Sequence, residues 1–204
     1  MSQTPEKPLP AQLPITSEPS PDAGEFSLEE RLTLLTLARE SIQAALDDRK
    51  ISLDPPTSHL AELRGAFTSL HRRGHLRGCV GYVFPVTSVY RTVAETARAA
   101  AFEDTRFYAI SREEMPELEI HLSILSKLRP IAPSQIEVGR HGLLVSLAGR
   151  RGLLLPQVPA QYGWDRATFI EQTCRKAGLG SDAWDRGATL EAFTAEVFGD
   201  HDFK

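Results

Sequence analysis

The residues best suited to chemistry lie in one hexapeptide, Leu76-Arg77-Gly78-Cys79-Val80-Gly81, within a predicted strand. The thiolate is the reactive form of cysteine, and a neighbouring cation such as Arg77 favours it. A glycine inside a strand often indicates a close approach by a ligand or another backbone. Cys79 is therefore a candidate nucleophile, with Arg77, Gly78 and Gly81 as candidate substrate-binding residues. The alternative is that Cys79 is a small residue packed where two elements nearly touch.

A second group of charged side chains follows a predicted alanine-rich helix. Glu103 is a candidate catalytic residue, because a carboxylate can act as general acid or base. Asp104 and Arg106 are candidate substrate-binding residues, since a guanidinium can clamp a carboxylate or phosphate. Equally, these three charges could form ion pairs and caps that fix the turn after the helix.

His141 and Gln157 are the remaining candidates. His141 lies between Arg140 and Gly142, a context typical of a loop that approaches a ligand, and histidine can transfer protons near neutral pH. It is a candidate catalytic residue, or else an ordinary turn histidine. Gln157 ends an apolar run and could bind substrate or satisfy backbone groups beside the prolines. The spacing of histidines and cysteines predicts no metal site, and no cofactor motif is present.

Composition limits the class of protein. The 204 residues are 41% hydrophobic and 25% charged, which is typical of a globular protein with a core of its own. A net charge of −4 argues against a nucleic-acid partner, since a dedicated nucleic-acid binder needs a broad basic face. Two cysteines form no disulfide framework, and neither a signal peptide nor a membrane-spanning run is evident. The expected location is the cytoplasm, without a membrane partner.

Hydrophobic patterns predict an α+β fold in which antiparallel hairpins pack with helices. Residues 1–25 are predicted to form a Pro-rich flexible tail, and residues 26–204 a single domain. Ser27 begins the first helix with a capping box. Further predicted elements are hairpins over 64–84 and 142–155, with the second turn at 149–152, helices over 87–102 and 165–177, and strands over 118–124 and 188–198.

The hexapeptide and several later motifs resemble the AMME-syndrome critical-region (AMMECR-type) domain family, whose bacterial members are called AmmeMemoRadiSam system protein A. The resemblance extends over about residues 26–200. Its motifs are the segments Leu76–Gly81, Ala99–Phe107, Glu117–Glu119, Gly139–Leu143, Gly152–Val158 and Cys174–Leu179.

The resemblance implies a larger and a smaller lobe with a cleft between them, near the cysteine motif. It also implies two partners, a Memo-like protein and a radical S-adenosylmethionine protein, but no established reaction. The expected function is therefore a cleft that binds a small anionic metabolite, with Cys79 as nucleophile or contact. The alternative is a non-catalytic adaptor that recognises a protein partner, and the sequence does not decide whether the protein is an enzyme.

Overall fold

The computed structural model describes residues 24–203, whose helices and strands form two lobes, each with a four-stranded antiparallel sheet. This confirms the predicted α+β class, while the predicted tail lies outside the described residues except for Gly24 and Glu25. In chain order the elements are α1 (Leu28–Leu46), β1 (Ala66–Arg72), β2 (His75–Tyr82), α2 (Val89–Phe102), β3 (Leu118–Leu125), β4 (Arg129–Pro130), β5 (Gly142–Leu147), β6 (Arg150–Leu154), α3 (Gln157–Tyr162), α4 (Arg166–Lys176), β7 (Thr189–Phe193) and β8 (Ala195–Gly199).

The larger lobe packs α1 and α2 on one face of the sheet β2-β1-β3-β8. Helix α1 begins with the predicted capping box, in which Ser27 and Glu30 satisfy each other's backbone amides. Helix α2 presents alanines to the sheet, and small side chains allow its backbone to come close. The Ser41 hydroxyl donates to the Ala94 carbonyl at 2.7 Å and links the two helices.

The smaller lobe packs α4 against the sheet β4-β7-β5-β6. Asp165 caps α4 by accepting the Thr168 amide at 2.8 Å, as its position before an apolar helix predicts. Phe169 and Cys174 of this helix are completely buried in the lobe's core. Within residues 24–203, no helix is long and apolar enough to cross a membrane.

Both hairpins turn on two residues with positive φ, which is the type I′ arrangement. In the first hairpin these residues are Arg73 (φ 52°) and Gly74 (φ 78°). In the second they are Ala148 (φ 50°) and Gly149 (φ 79°). The observed turn therefore has two residues instead of the four predicted at 149–152, and it begins one residue earlier. The backbone twist of a type I′ turn matches that of the strands, which favours the shorter loop.

The single strand predicted over 188–198 is wrong, because the chain forms two strands there that belong to different sheets. Strand β7 belongs to the smaller sheet and β8 belongs to the larger sheet, and Thr194 connects them across the two lobes. The Thr194 amide donates to Ser126 Oγ at 2.9 Å, while the Ser126 amide donates to the Thr194 carbonyl at 2.9 Å. Ser126 lies in the segment between β3 and β4, which also passes from one lobe to the other. These two connections between the lobes are therefore hydrogen-bonded to each other.

Candidate functional site

The two glycines of the hexapeptide are needed for packing inside the protein. A Cβ atom on Gly78 would lie 2.1 Å from the Ala100 carbonyl oxygen of α2. A Cβ atom on Gly81 would lie 2.0 Å from the Phe67 ring of β1. The close approach that the sequence predicts at this strand is thus made by the protein's own helix and its own aromatic ring.

Cys79 lies on β2, at the edge of the larger sheet, and its outward backbone groups are both satisfied. Its amide donates to Asp104 Oδ2 at 2.8 Å, and its carbonyl accepts from Arg106 at 3.3 Å. Arg106 also donates to Asp104 at 2.7 Å, and hydrogen bonds from Arg106 and Cys79 hold the pKa of Asp104 well below its usual range. Asp104 and Arg106 therefore occupy the place of a neighbouring strand and close this edge.

The Cys79 thiol faces the side of the sheet opposite the helices. It accepts a hydrogen bond from the Ser69 hydroxyl at 3.2 Å, since Ser69 is its cross-strand partner. Arg77 does not contact the thiol. Its guanidinium donates to Glu114 at 2.9 Å and to the Tyr108 carbonyl at 2.7 Å, which fixes the loop after α2.

The candidates of the sequence analysis do not share one pocket. Glu103 caps α2 and lines a groove with Tyr82, which lies on the helix side of β2, whereas the Cys79 side chain points to the other side. His141 lies in the smaller lobe, and Gln157 is an exposed residue that begins α3. Strand alternation therefore separates the Cys79 side chain from Glu103, and lobe membership separates both from His141.

A cleft between the lobes contains His141 and has a volume of about 830 Å³. Its walls are the segment that connects β3 to β4, strand β4, the end of β7, the loop before β5 and the charged residues that precede α1 and β1. Phe193 of β7 forms part of the floor and packs on Gly142, where a Cβ atom would lie 2.2 Å from the ring. The glycine after His141 thus has a packing role at the base of this cleft.

Positive side chains are gathered in this interlobe cleft, and most are already paired. Arg64 is only 3% exposed and binds Glu25 and Glu62. Lys127 also binds Glu62 at 2.7 Å, and the hydrogen bonds from Lys127 and Arg64 lower the pKa of Glu62 to about 2. Arg129 differs from these cations because its guanidinium is exposed and has no hydrogen bond or ion pair to any residue between 24 and 203.

His141 is held in one protonation form by its own loop. Its Nδ1 accepts the Glu137 amide at 3.0 Å, so the neutral ring carries its proton on Nε2. Burial lowers the pKa of His141, which also favours the neutral ring near neutral pH. The adjacent Arg140 pairs with Glu137 at 3.1 Å. His141 can therefore offer one N–H donor to a ligand in the cleft.

One cluster has the composition of a metal site. Ligand atoms of Glu25, His59 and Glu62 lie within 4.8 Å of one another. Both carboxylates are already bound by Arg64, and His59 Nδ1 lies 2.9 Å from Glu30. Because a buried guanidinium occupies the place between the carboxylates, the arrangement is an ion-pair network rather than a cation site.

Three histidines form a cluster of neighbouring rings on the open face of the larger sheet, and the sequence patterns do not reveal it. The ring centroids of His71 and His121 are 4.7 Å apart, and those of His121 and His201 are 4.9 Å apart. The Nδ1 atom of His71 is buried and has no hydrogen-bond partner within the described chain. Burial lowers the pKa of His121, and the neighbouring His71 and His201 lower it further.

Sequence comparison places the chain among proteins of archaea and bacteria. The family model described as AMMECR1 matches residues 35–198. A protein of Methanopyrus kandleri is 40% identical over 85% of this chain and 90% of its own, and one of Aquifex aeolicus is 34% identical over 81% and 90%. The crystal structure of an uncharacterised protein from Pyrococcus horikoshii superposes with a TM-score of 0.62 at 37% identity, covering 82% of this chain and 89% of that one. The chain therefore belongs to the AMMECR1 family.

Proposed function

We propose that the interlobe cleft binds a small anionic metabolite and that Arg129 is its principal charged contact. The observation that carries the proposal is that the Arg129 guanidinium has no partner in the described part of the chain, whereas the other Arg and Lys side chains that line the cleft are paired with carboxylates. A guanidinium with free donors can bind a carboxylate or phosphate through two parallel hydrogen bonds. Sites between lobes are also common places for small-molecule ligands.

Neighbouring groups support the same binding mode. Lys127 and Arg140 also line the cleft and add long-range attraction for an anion. The Nε2–H of neutral His141 supplies a further donor. These groups recognise negative charge and polar oxygen atoms, so the proposed activity is binding, and no reaction is part of it.

Cys79 has a structural role in this proposal. Its backbone holds the edge of the larger sheet through Asp104 and Arg106, and its thiol accepts a hydrogen bond from Ser69. The cleft lining within residues 24–203 does not include Cys79 or Glu103. The expected outcome is that the anion binds without contact to either side chain.

Calorimetric titration with acetate and with inorganic phosphate tests the proposal. The wild-type protein is expected to bind at least one of them, and Arg129→Gln is expected to weaken that affinity by about tenfold or more. Arg151→Gln is the matched control, because Arg151 is also exposed and also unpaired among the described residues. Equal loss in the two variants, or no binding by the wild-type protein, would refute the proposal.

A second candidate function is recognition of a protein partner, and one exposed side chain favours it. Tyr108 is 94% exposed, yet its backbone carbonyl is fixed by Arg77 of the hexapeptide. Rigid, exposed tyrosines are frequent anchors of protein interfaces. The partners implied by the family resemblance, a Memo-like protein and a radical S-adenosylmethionine protein, are the ones to test.

The adaptor function can be measured with the purified partner proteins. If it is correct, Tyr108→Ala weakens binding of one partner by about tenfold or more. Tyr162→Ala is the control, because Tyr162 is also an exposed tyrosine, at 68%, but belongs to the smaller lobe. Unchanged affinity in Tyr108→Ala would exclude this surface.

A further inference from the structure

We infer that the ligand of the interlobe cleft is amphipathic, with one anionic group joined to an aryl or short acyl group. The inference rests on the proposed function, because it assigns the chemical class of the ligand at the same site. It is carried by a second cavity that adjoins the charged part of the cleft and is lined mainly by apolar side chains.

This apolar cavity has a volume of about 410 Å³. It continues the charged part of the cleft, because Glu62, Arg64, Ser126, Lys127 and Phe193 line both. The apolar side chains that line it come from both lobes and from the loops beside β1 and β2: Leu63, Val83, Pro85, Leu125, Leu128, Leu153 and Phe193.

The volume of the cavity limits the size of the apolar group that it can hold. A cavity of about 150 Å³ is enough for a benzene ring, and pockets of about 300–1,000 Å³ hold drug-sized ligands. At about 410 Å³, the apolar cavity accommodates one aromatic ring or a short acyl chain. Transfer of that group from water to these walls favours binding, since burial of apolar surface releases about 25 cal/mol per Å².

The charges around the cleft limit the number of negative charges that the ligand can carry. Among the cleft-lining residues between 24 and 203, each Arg or Lys other than Arg129 has a carboxylate partner, so Arg129 supplies the one uncompensated positive charge of this set. Glu25 and Glu62 also line the charged part and would repel a ligand with several negative charges. A monocarboxylate, or another group with a single negative charge, is therefore favoured over a polyphosphate.

Titration of the whole chain with acetate, benzoate and 4-phenylbutyrate tests the inference. Acetate measures the anionic contact alone, while the other two add an aryl group. Benzoate or 4-phenylbutyrate is expected to bind at least about tenfold more tightly than acetate, which corresponds to about 1.4 kcal/mol. Arg129→Gln is expected to weaken the binding of all three.

Two variants locate the aryl group. Leu63→Asn and Leu153→Asn each place an amide in the apolar cavity, and Leu63 is already 56% exposed, so this exchange should not prevent folding. In each variant, benzoate and 4-phenylbutyrate are expected to bind at most about threefold more tightly than acetate, with the affinity for acetate unchanged.

The possible failures are distinguishable. Equal affinity for acetate and both aryl acids would overturn the inference and leave the proposed function in place. If both leucine variants still bind the aryl acids at least about tenfold more tightly than acetate, the inference is also overturned, because the ring would then lie elsewhere. If none of the three acids and no phosphate binds, the proposed function fails, and the inference fails with it.

Discussion

The carboxylate of Asp104 accepts the amide proton of Cys79 at 2.8 Å and thereby joins the loop after α2 to the edge strand β2. Two of the motifs on which the family resemblance rests are thus parts of one structural unit. Arg106 completes it by binding both the Asp104 carboxylate and the Cys79 carbonyl. The unit stabilises the sheet edge, whereas the proposed ligand site lies in the cleft between the lobes.

The first prediction concerns the Asp104 carboxylate. Asp104→Ala leaves the Cys79 amide and Arg106 without their acceptor, and the side chain is only 6% exposed. The free energy of unfolding is expected to fall by about 1–3 kcal/mol in urea denaturation. Glu103→Ala is the neighbouring control, with an expected change within about 0.5 kcal/mol, because its side chain is exposed. Equal losses would contradict the structural role of Asp104.

The second prediction concerns the contact between β2 and α2. Gly78→Ala places a methyl group against the Ala100 carbonyl, which is rigid backbone, so the helix or the strand must move. We expect a loss of about 1–3 kcal/mol or more in the free energy of unfolding.

Gly74→Ala separates this steric effect from the general cost of replacing a glycine. No atom lies within 4 Å of a Cβ built on Gly74, although its φ is +78°. The expected loss in the free energy of unfolding is therefore only that of placing an alanine in the left-handed backbone conformation, about 1 kcal/mol. A larger loss in Gly74→Ala than in Gly78→Ala would show that the helix does not constrain the strand.

The third prediction concerns the thiol. Cys79→Ala keeps the backbone hydrogen bonds to Asp104 and Arg106 and removes only the acceptor of the Ser69 hydroxyl. The free energy of unfolding is expected to change by about 1 kcal/mol or less, and the affinity for acetate or benzoate by less than about twofold. A tenfold loss of affinity would instead indicate that Cys79 contacts the ligand.

The fourth prediction is a pH dependence of stability from His121. Its pKa is lowered in the folded protein, by burial first and then by His71 and His201, against the opposite effects of Glu119 and Asp200. Below the unfolded value of about 6.5, the unfolded chain therefore binds more protons than the folded one. The free energy of unfolding should fall as the pH drops from about 7.5 to about 5.

His121→Gln should make this dependence shallower, as measured by urea denaturation across the same pH range. It should not abolish it, because burial also lowers the pKa of His141. His75→Gln is the matched control for the loss of an imidazole, since His75 is exposed beside the first hairpin turn. An unaltered slope in His121→Gln would contradict the prediction.

Local signals explain which parts of this fold could be predicted. The capping box at Ser27, the alternation along β3 and the cap at Asp165 depend on residues close in sequence, and each corresponds to an observed element. The division of residues 188–198 between two sheets depends on the reciprocal hydrogen bonds of Thr194 with Ser126. No local pattern contains such a contact, so alternation alone predicts one strand.

The candidate site shows the same limit. Gly78 and Cys79 could be recognised as unusual from their sequence, but their neighbours Ala100 and Asp104 are known only from the packing of α2 on β2. Arg129 belongs to no motif. Its guanidinium lacks a partner among residues 24–203, while the other Arg and Lys side chains of the cleft have one, and this becomes evident only when both lobes are in place.

The most direct measurement is the map of backbone amide chemical shifts during titration with benzoate. Binding in the interlobe cleft predicts shifts at residues 125–129, 140–141 and 192–194, which line it or the adjoining apolar cavity, and the loss of these shifts in Arg129→Gln. Shifts confined to residues 77–81 and 104–106 would instead place the ligand at the Cys79 edge of the larger sheet and contradict the proposed function.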